Sequence, residues 1–197
     1  MNAAQRKITE ADILSDADYA AQRATLRADS IATKKNRRIE VGPFATFYFE
    51  SYQTMWLQVQ EMLRIEKGGK DQIAGELEAY NPLIPQGSEL IATLMLEIED
   101  ATRRDKVLRT LGNIEETAFL DLNGERIKGT PTEYEDRTTP EGKTSSVHWV
   151  RFVFTPAQIA TFKSGEGQAA LGFNHPNYGH MAVIPATVRS ELSKDFA

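Results

Sequence analysis

The pair Asn123-Gly124, set between Ala118-Phe119-Leu120-Asp121-Leu122 and Glu125-Arg126-Ile127-Lys128, constrains the fold more than any other stretch of the chain. Asn-Gly suits the two positive-φ positions of a type I′ turn, whose twist matches that of paired strands, so a two-residue hairpin is predicted here. That commits part of any sheet to antiparallel pairing. A second hairpin is predicted over residues 38–50 around Gly42-Pro43. Its second arm points Ala45, Phe47 and Phe49 one way and Phe44, Thr46, Tyr48 and Glu50 the other. Aromatic residues on both faces imply a sheet covered on both sides.

The remaining elements follow from periodicity and punctuation. Residues 52–67 carry Tyr52, Met55, Trp56, Val59, Met62 and Leu63 at helical spacing, with Glu66 continuing the stripe and Gly68-Gly69 ending it. A shorter helix over 71–80 stops at Asn81-Pro82. Further helices are predicted over 100–112 (Asp100 as cap), 155–163 (opened by Thr155-Pro156) and 185–196. Further strands are predicted over 89–98, 145–154, 169–175 and 180–184. The first 37 residues read as helical, with Thr9 and Asp12 in a capping-box pattern and Ser15-Asp16 opening a long helix to Asn36. Residues 130–144, polar and with two prolines, read as a mobile loop. Strands and helices alternate without a βαβ rhythm. The expectation is α+β: a mainly antiparallel sheet covered by helices, with an N-terminal helical segment over 1–37 and a single α+β domain over 38–197.

Charge and composition narrow the function classes. With 23 Lys+Arg against 28 Asp+Glu the net charge is -5, so no general basic field holds nucleic acid, and no nucleic-acid partner is expected. The cluster Lys34, Lys35, Arg37 and Arg38 complements a helix C-terminus; a phosphate or acidic partner is its sharper reading. Without cysteine there is no disulfide, thiolate nucleophile or thiolate-held metal. No apolar run reaches the roughly 18 residues of a membrane helix, and residues 1–15 lack an apolar signal core. The chain is therefore expected to be cytoplasmic, with no membrane partner.

Motifs for common chemistries are absent or misplaced. Gly165-Glu166-Gly167-Gln168-Ala169-Ala170 has the letters of a dinucleotide fingerprint, but it follows a helix and precedes a strand, the reverse of what cradling a pyrophosphate requires. Three groups of residues remain. Glu50, Gln58, Glu61 and Glu66, with Arg64 beside Glu61, bring carboxylates onto one strand end and one helix. Such groups bind a hard divalent cation or act as an acid–base pair, and equally form ordinary helix-surface pairs. His175-Pro-Asn-Tyr-Gly-His180 places two imidazoles opposite each other if the flanking strands pair across a four-residue loop. They could then share a metal with Glu97 or His148, or His175 could simply cap the turn. His148 shares a face with Val150, Phe152 and Phe154 and reads as a core histidine; Arg151, on the other face, is expected to pair with an acid on a neighbouring strand. Trp56, Tyr80 and Asn81 suit the wall of a ligand pocket, or plain core packing.

Several runs resemble a known family. Gln58-Val59-Gln60-Glu61-Met62-Leu63-Arg64-Ile65-Glu66, Ala79-Tyr80-Asn81-Pro82-Leu83-Ile84-Pro85 and Glu89-Leu90-Ile91-Ala92-Thr93-Leu94 are similar to the bacterial family called domain of unknown function 3501. Arg38-Ile39-Glu40-Val41-Gly42-Pro43, Phe49-Glu50 with Thr54, Val150-Arg151-Phe152 and His175-Pro176-Asn177-Tyr178 fit the same pattern, whereas His148 and His180 depart from it. The resemblance covers most of the chain. Family members tend to be encoded near rubrerythrin-like and iron–sulfur oxidoreductase genes, which implies a role beside peroxide or redox metabolism and an oxidoreductase partner. Two readings stand: an accessory or binding protein for such an oxidoreductase, or a small metal-dependent enzyme or metal-binding protein holding a divalent metal through carboxylates and His175. Whether the chain is an enzyme, and its oligomeric state, are left open by the residues.

Overall fold

The computed structural model describes residues 6–132 and 137–197. Among them, eight strands form one antiparallel sheet: β1 (Arg38–Val41), β2 (Ala45–Phe49), β3 (Glu89–Leu96), β4 (Ala118–Leu122), β5 (Glu125–Pro131), β6 (Val147–Val153), β7 (Ala169–Phe173) and β8 (Met181–Val183), in the order β1-β2-β3-β6-β5-β4-β7-β8. Six helices accompany it: α1 (Asp16–Lys35), α2 (Tyr52–Glu66), α3 (Lys70–Tyr80), α4 (Ala101–Leu108), α5 (Pro156–Ser164) and α6 (Ala186–Leu192). The fold is α+β with an antiparallel sheet and a helical N-terminal segment.

Local chemistry accounts for the element boundaries. Asn123 and Gly124 both take positive φ, 55° and 87°, and Leu122 faces Glu125, as a type I′ turn requires. Ser15, Asp100 and Thr155 cap α1, α4 and α5 with side-chain oxygens, and Asp12 accepts hydrogen bonds from both the N–H and the hydroxyl of Thr9. Lys67 closes α2 in the left-handed region. The helix predicted over 100–112 is shorter than its pattern, because the Thr110 hydroxyl donates back to the Val107 carbonyl and the chain tightens into a turn. The loop predicted from residue 130 is also shorter, since β5 runs to Pro131 and Thr138 bridges Thr144; residues 133–136 of that stretch lie outside the described residues.

The sheet curls, as its twist favours, until its two edges meet around Tyr178. That hydroxyl donates to the Val41 carbonyl (2.8 Å) and accepts from the N–H groups of Phe44 and Ala45, both at 2.9 Å. Burial pushes the phenol's pKa up, so it stays a neutral donor. Gly42, at φ 70°, lies directly against the His180 ring, where a β-carbon would sit 2.6 Å from Cγ. The main core fills the concave face with Phe47, Phe49, Leu90, Leu94, Val150 and Phe152, among others, and Leu108, Phe162 and Leu192 of the helices join it. A second cluster lies on the opposite face, where Ile91 meets Met55, Trp56 and Val59 of α2. Ile8 is completely buried in that cluster, so the N-terminal segment shares its packing with α2.

Buried arginines tie chain ends to this frame. Arg37 is 2% exposed and donates to the Phe49 and Glu50 carbonyls and to the Asp195 carboxylate. It is therefore a clamp on the C-terminal turn, although the sequence pattern groups it with a surface basic cluster. Arg189, 5% exposed, donates to the carbonyls of Thr161, Phe162, Gly165, Glu166 and Gly167, which gather the end of α5 around one guanidinium.

Candidate functional site

The residues singled out by the sequence occupy separate places. Glu50 is buried where β2 runs into α2, and its two carboxylate oxygens accept from the hydroxyls of Thr54 and Thr93, each at 2.6 Å. Glu61 faces α1 instead. Arg23 grips it in bidentate fashion at 2.7 and 2.8 Å, and Tyr19 donates a third hydrogen bond. The Arg23 guanidinium, helped by Tyr19, holds the Glu61 carboxyl well below the usual range, at about 2. Burial, together with that carboxylate, pushes the Tyr19 phenol up. Glu61 thus bonds to α1, where the sequence pattern suggested Arg64. Glu66 is exposed and receives a hydrogen bond from Gln72, so it does not continue the buried stripe. Gln58 is half-buried on α2.

Strand register settles where the histidines lie. Gly172 faces Met181, Phe173 donates to the His180 carbonyl, and His175 faces Tyr178. The loop is therefore two residues, Pro176-Asn177, and the expectation that His175 and His180 oppose each other is corrected: His180 lies opposite Phe173, with its ring against Tyr178 at 4.6 Å. His175 is buried, and its Nδ1 accepts from the Asn177 N–H while Nε2 donates to the Gly112 carbonyl. Those partners assign the neutral Nε2–H tautomer and engage both ring nitrogens. Among the described residues, no group of three or more His, Asp or Glu side chains is placed to hold a metal ion. His148 lies on the core face, with Nε2 2.8 Å from the Ser145 carbonyl and Nδ1 3.4 Å from Glu115.

Asn81 latches the N-terminal segment: its side chain accepts from the Ile8 N–H and donates to the Ile8 carbonyl. Arg151 donates to the Pro82 carbonyl, where an acid on a neighbouring strand was expected, and both residues line a cleft of about 680 Å³. Tyr80 packs half-buried against the second hydrophobic cluster, and the Trp56 indole N–H donates to the Asp12 carbonyl.

Arg64 alone of these candidates lines a groove of about 900 Å³, larger than the cleft beside Pro82. It runs between the segment leading into α1 and the α2–α3 corner, within the range of small-ligand sites. Ile13, Leu14, Leu63 and Ile73 supply apolar wall, and Ile65 beside them is 66% exposed. Its rim is polarised. Glu10 and Asp16 stand on the side of the N-terminal segment, and Arg64, Lys67 and Lys70 on the side of the corner. Gln60 completes the lining. It is 2% exposed, and its amide nitrogen has no hydrogen-bond partner. Gln60 stands outside the stripe Tyr52, Met55, Trp56, Val59, Met62 and Leu63 that the sequence shows. The usable signal was Trp56, Gln60 and Leu63 at i, i+4 and i+7, which puts the amide on the face turned towards residues 13–14.

Comparison with known proteins gives a consistent placement. No curated protein matches the chain. A crystal structure at 1.90 Å of a novel protein of unknown function from Burkholderia pseudomallei K96243 superposes with a TM-score of 0.89 at 36% identity, covering 97% of this chain and 100% of that one. The family model described as "Protein of unknown function (DUF3501)" matches residues 7–196, nearly the whole of the chain, and the protein belongs to that family.

Proposed function

We propose that the protein acts by binding, as an accessory protein, with the groove at the α2–α3 corner as its binding site. One observation carries this reading: the groove joins apolar wall, a polarised rim and a buried donor without a partner, a combination suited to recognising another molecule. The carboxylates and His175, by contrast, are held by hydrogen bonds within the fold. No helix among the described residues is long and apolar enough to cross a membrane. The family resemblance supplies the setting, beside oxidoreductases of peroxide and redox metabolism, and so names the partner class to test.

The test is affinity purification from the native host with wild type and with the groove variant Ile73→Asp. An oxidoreductase retained by wild type and lost with the variant supports the reading. Equal retention would move the binding site elsewhere on the surface, and recovery of no oxidoreductase would remove the accessory role.

A further inference from the structure

We infer that what the groove receives is a carboxylate on an apolar body, presented by the partner and matched by a small amphiphilic carboxylate, with a carboxylate oxygen accepting from the Gln60 amide. The inference rests on the proposed reading of the groove as the binding site. Three features select this chemistry. First, a buried N–H group without a partner is costly, and an oxygen acceptor entering the groove satisfies it. Gln60 reaches this position from the middle of α2, where Trp56 one turn earlier and Leu63 one turn later are packed in the second cluster, so the amide is held by a rigid element.

Second, the corner side of the groove favours negative charge. Helix α3 begins at Lys70 after Gly69 with no side-chain cap, so the positive end of its dipole adds to the corner, offset in part by Asp71 in its first turn. Arg64, Lys67 and Lys70 add formal positive charge at the same corner. Arg23 also lines the groove, but its guanidinium is committed to Glu61. Glu10 and Asp16 on the far rim repel an anion placed there, which orients the carboxylate towards the corner. Third, Ile13, Leu14, Leu63 and Ile73 offer an apolar surface for the remainder of the ligand. A cationic amphiphile would leave the Gln60 donor unanswered and face the basic corner. A neutral alcohol would answer the donor and forgo the charge.

Isothermal titration with decanoate and decyltrimethylammonium below their micelle concentrations, and with decanol below its solubility limit, tests the assignment. Wild type should bind decanoate saturably at one site, and should prefer it to the other two. Gln60→Met, which keeps length and removes the donor, should weaken decanoate about 10- to 100-fold, the range for a hydrogen bond to a charged group. Lys70→Glu, at an exposed position, should weaken decanoate and narrow its advantage over decyltrimethylammonium. Decanoate binding unchanged in Gln60→Met, or absent in wild type, would overturn the carboxylate assignment. Saturable binding of decanol or decyltrimethylammonium in preference to decanoate, abolished by Ile73→Asp, would also overturn it while leaving the groove as the binding site. The accessory role itself fails only in the purification experiment above.

Discussion

Replacing Tyr178 with Phe removes one oxygen from the seam of the curled sheet and nothing else. The ring keeps its neighbours, Phe173 at 5.5 Å and His180 at 4.6 Å, so little packing is lost. The oxygen serves three backbone groups: the Val41 carbonyl and the N–H groups of Phe44 and Ala45. Val41 and Ala45 are 0% and 1% exposed, so water cannot replace the hydroxyl there, whereas Phe44 is half-buried and its N–H can find solvent. Each buried group left unpaired costs about 1–3 kcal/mol, which places the destabilisation at about 3 kcal/mol. Set against total stabilities of about 5–15 kcal/mol for single domains, the change is large. Urea unfolding followed by tryptophan fluorescence measures it. The midpoint should fall while the slope stays constant, because the same surface is exposed on unfolding. Amide exchange should accelerate most at Phe44 and Ala45. A loss below about 0.5 kcal/mol, the range of indifferent surface changes, would refute the account of the seam.

Other substitutions probe different links. Glu61→Gln should destabilise by about 1 kcal/mol at pH 7, since it weakens a half-exposed charged pair. Because the folded pKa of Glu61 is depressed to about 2, its contribution is complete above the ordinary carboxylate range and is lost as pH falls from about 4.5 towards 2. The difference between wild type and variant in urea titrations should therefore shrink over that interval, and a constant difference would contradict the pairing. Arg189→Leu should cost about 3 kcal/mol or more, because five carbonyls lose their common donor; thermal unfolding within a few degrees of wild type would contradict the clamp. Gln60→Met should leave the free protein unchanged or about 1 kcal/mol more stable, since it removes a buried donor without a partner. A clear loss of stability would show that Gln60 serves the fold and not a ligand.

The legible parts of this chain are those whose causes are local. Asn123-Gly124 specifies its own backbone, and the register of β4 with β5 follows from it. Ser15, Asp100 and Thr155 cap the helices they precede in sequence. The inward set Ala45, Phe47 and Phe49 follows from the two-residue period of a strand. Side-chain partners were less legible, because they come from distant segments. Glu61 has Arg64 three residues away, yet it bonds to Arg23 and Tyr19 across an interhelical contact that no local pattern encodes. Arg37 belongs by sequence to a basic run, and only the fold of the C-terminus brings Asp195 to it. The histidine hairpin failed on a single point of register. Shortening the loop from four residues to two moves His180 from opposite His175 to opposite Phe173. Gln60 is hidden from local pattern for the same reason, since it lines one groove with residues 13 and 14, far away in sequence.

In the bound state the Gln60 amide is the donor that the ligand satisfies. Its side-chain amide resonances in protein labelled with nitrogen-15 report on this directly, with Gln60→Met assigning the pair by its disappearance. Saturating decanoate should shift the Gln60 amide protons downfield and slow their exchange with water, while the side-chain amide of Asn81, already bonded to Ile8, stays in place. Decanoate saturating the protein with the Gln60 resonances unmoved would contradict the claim.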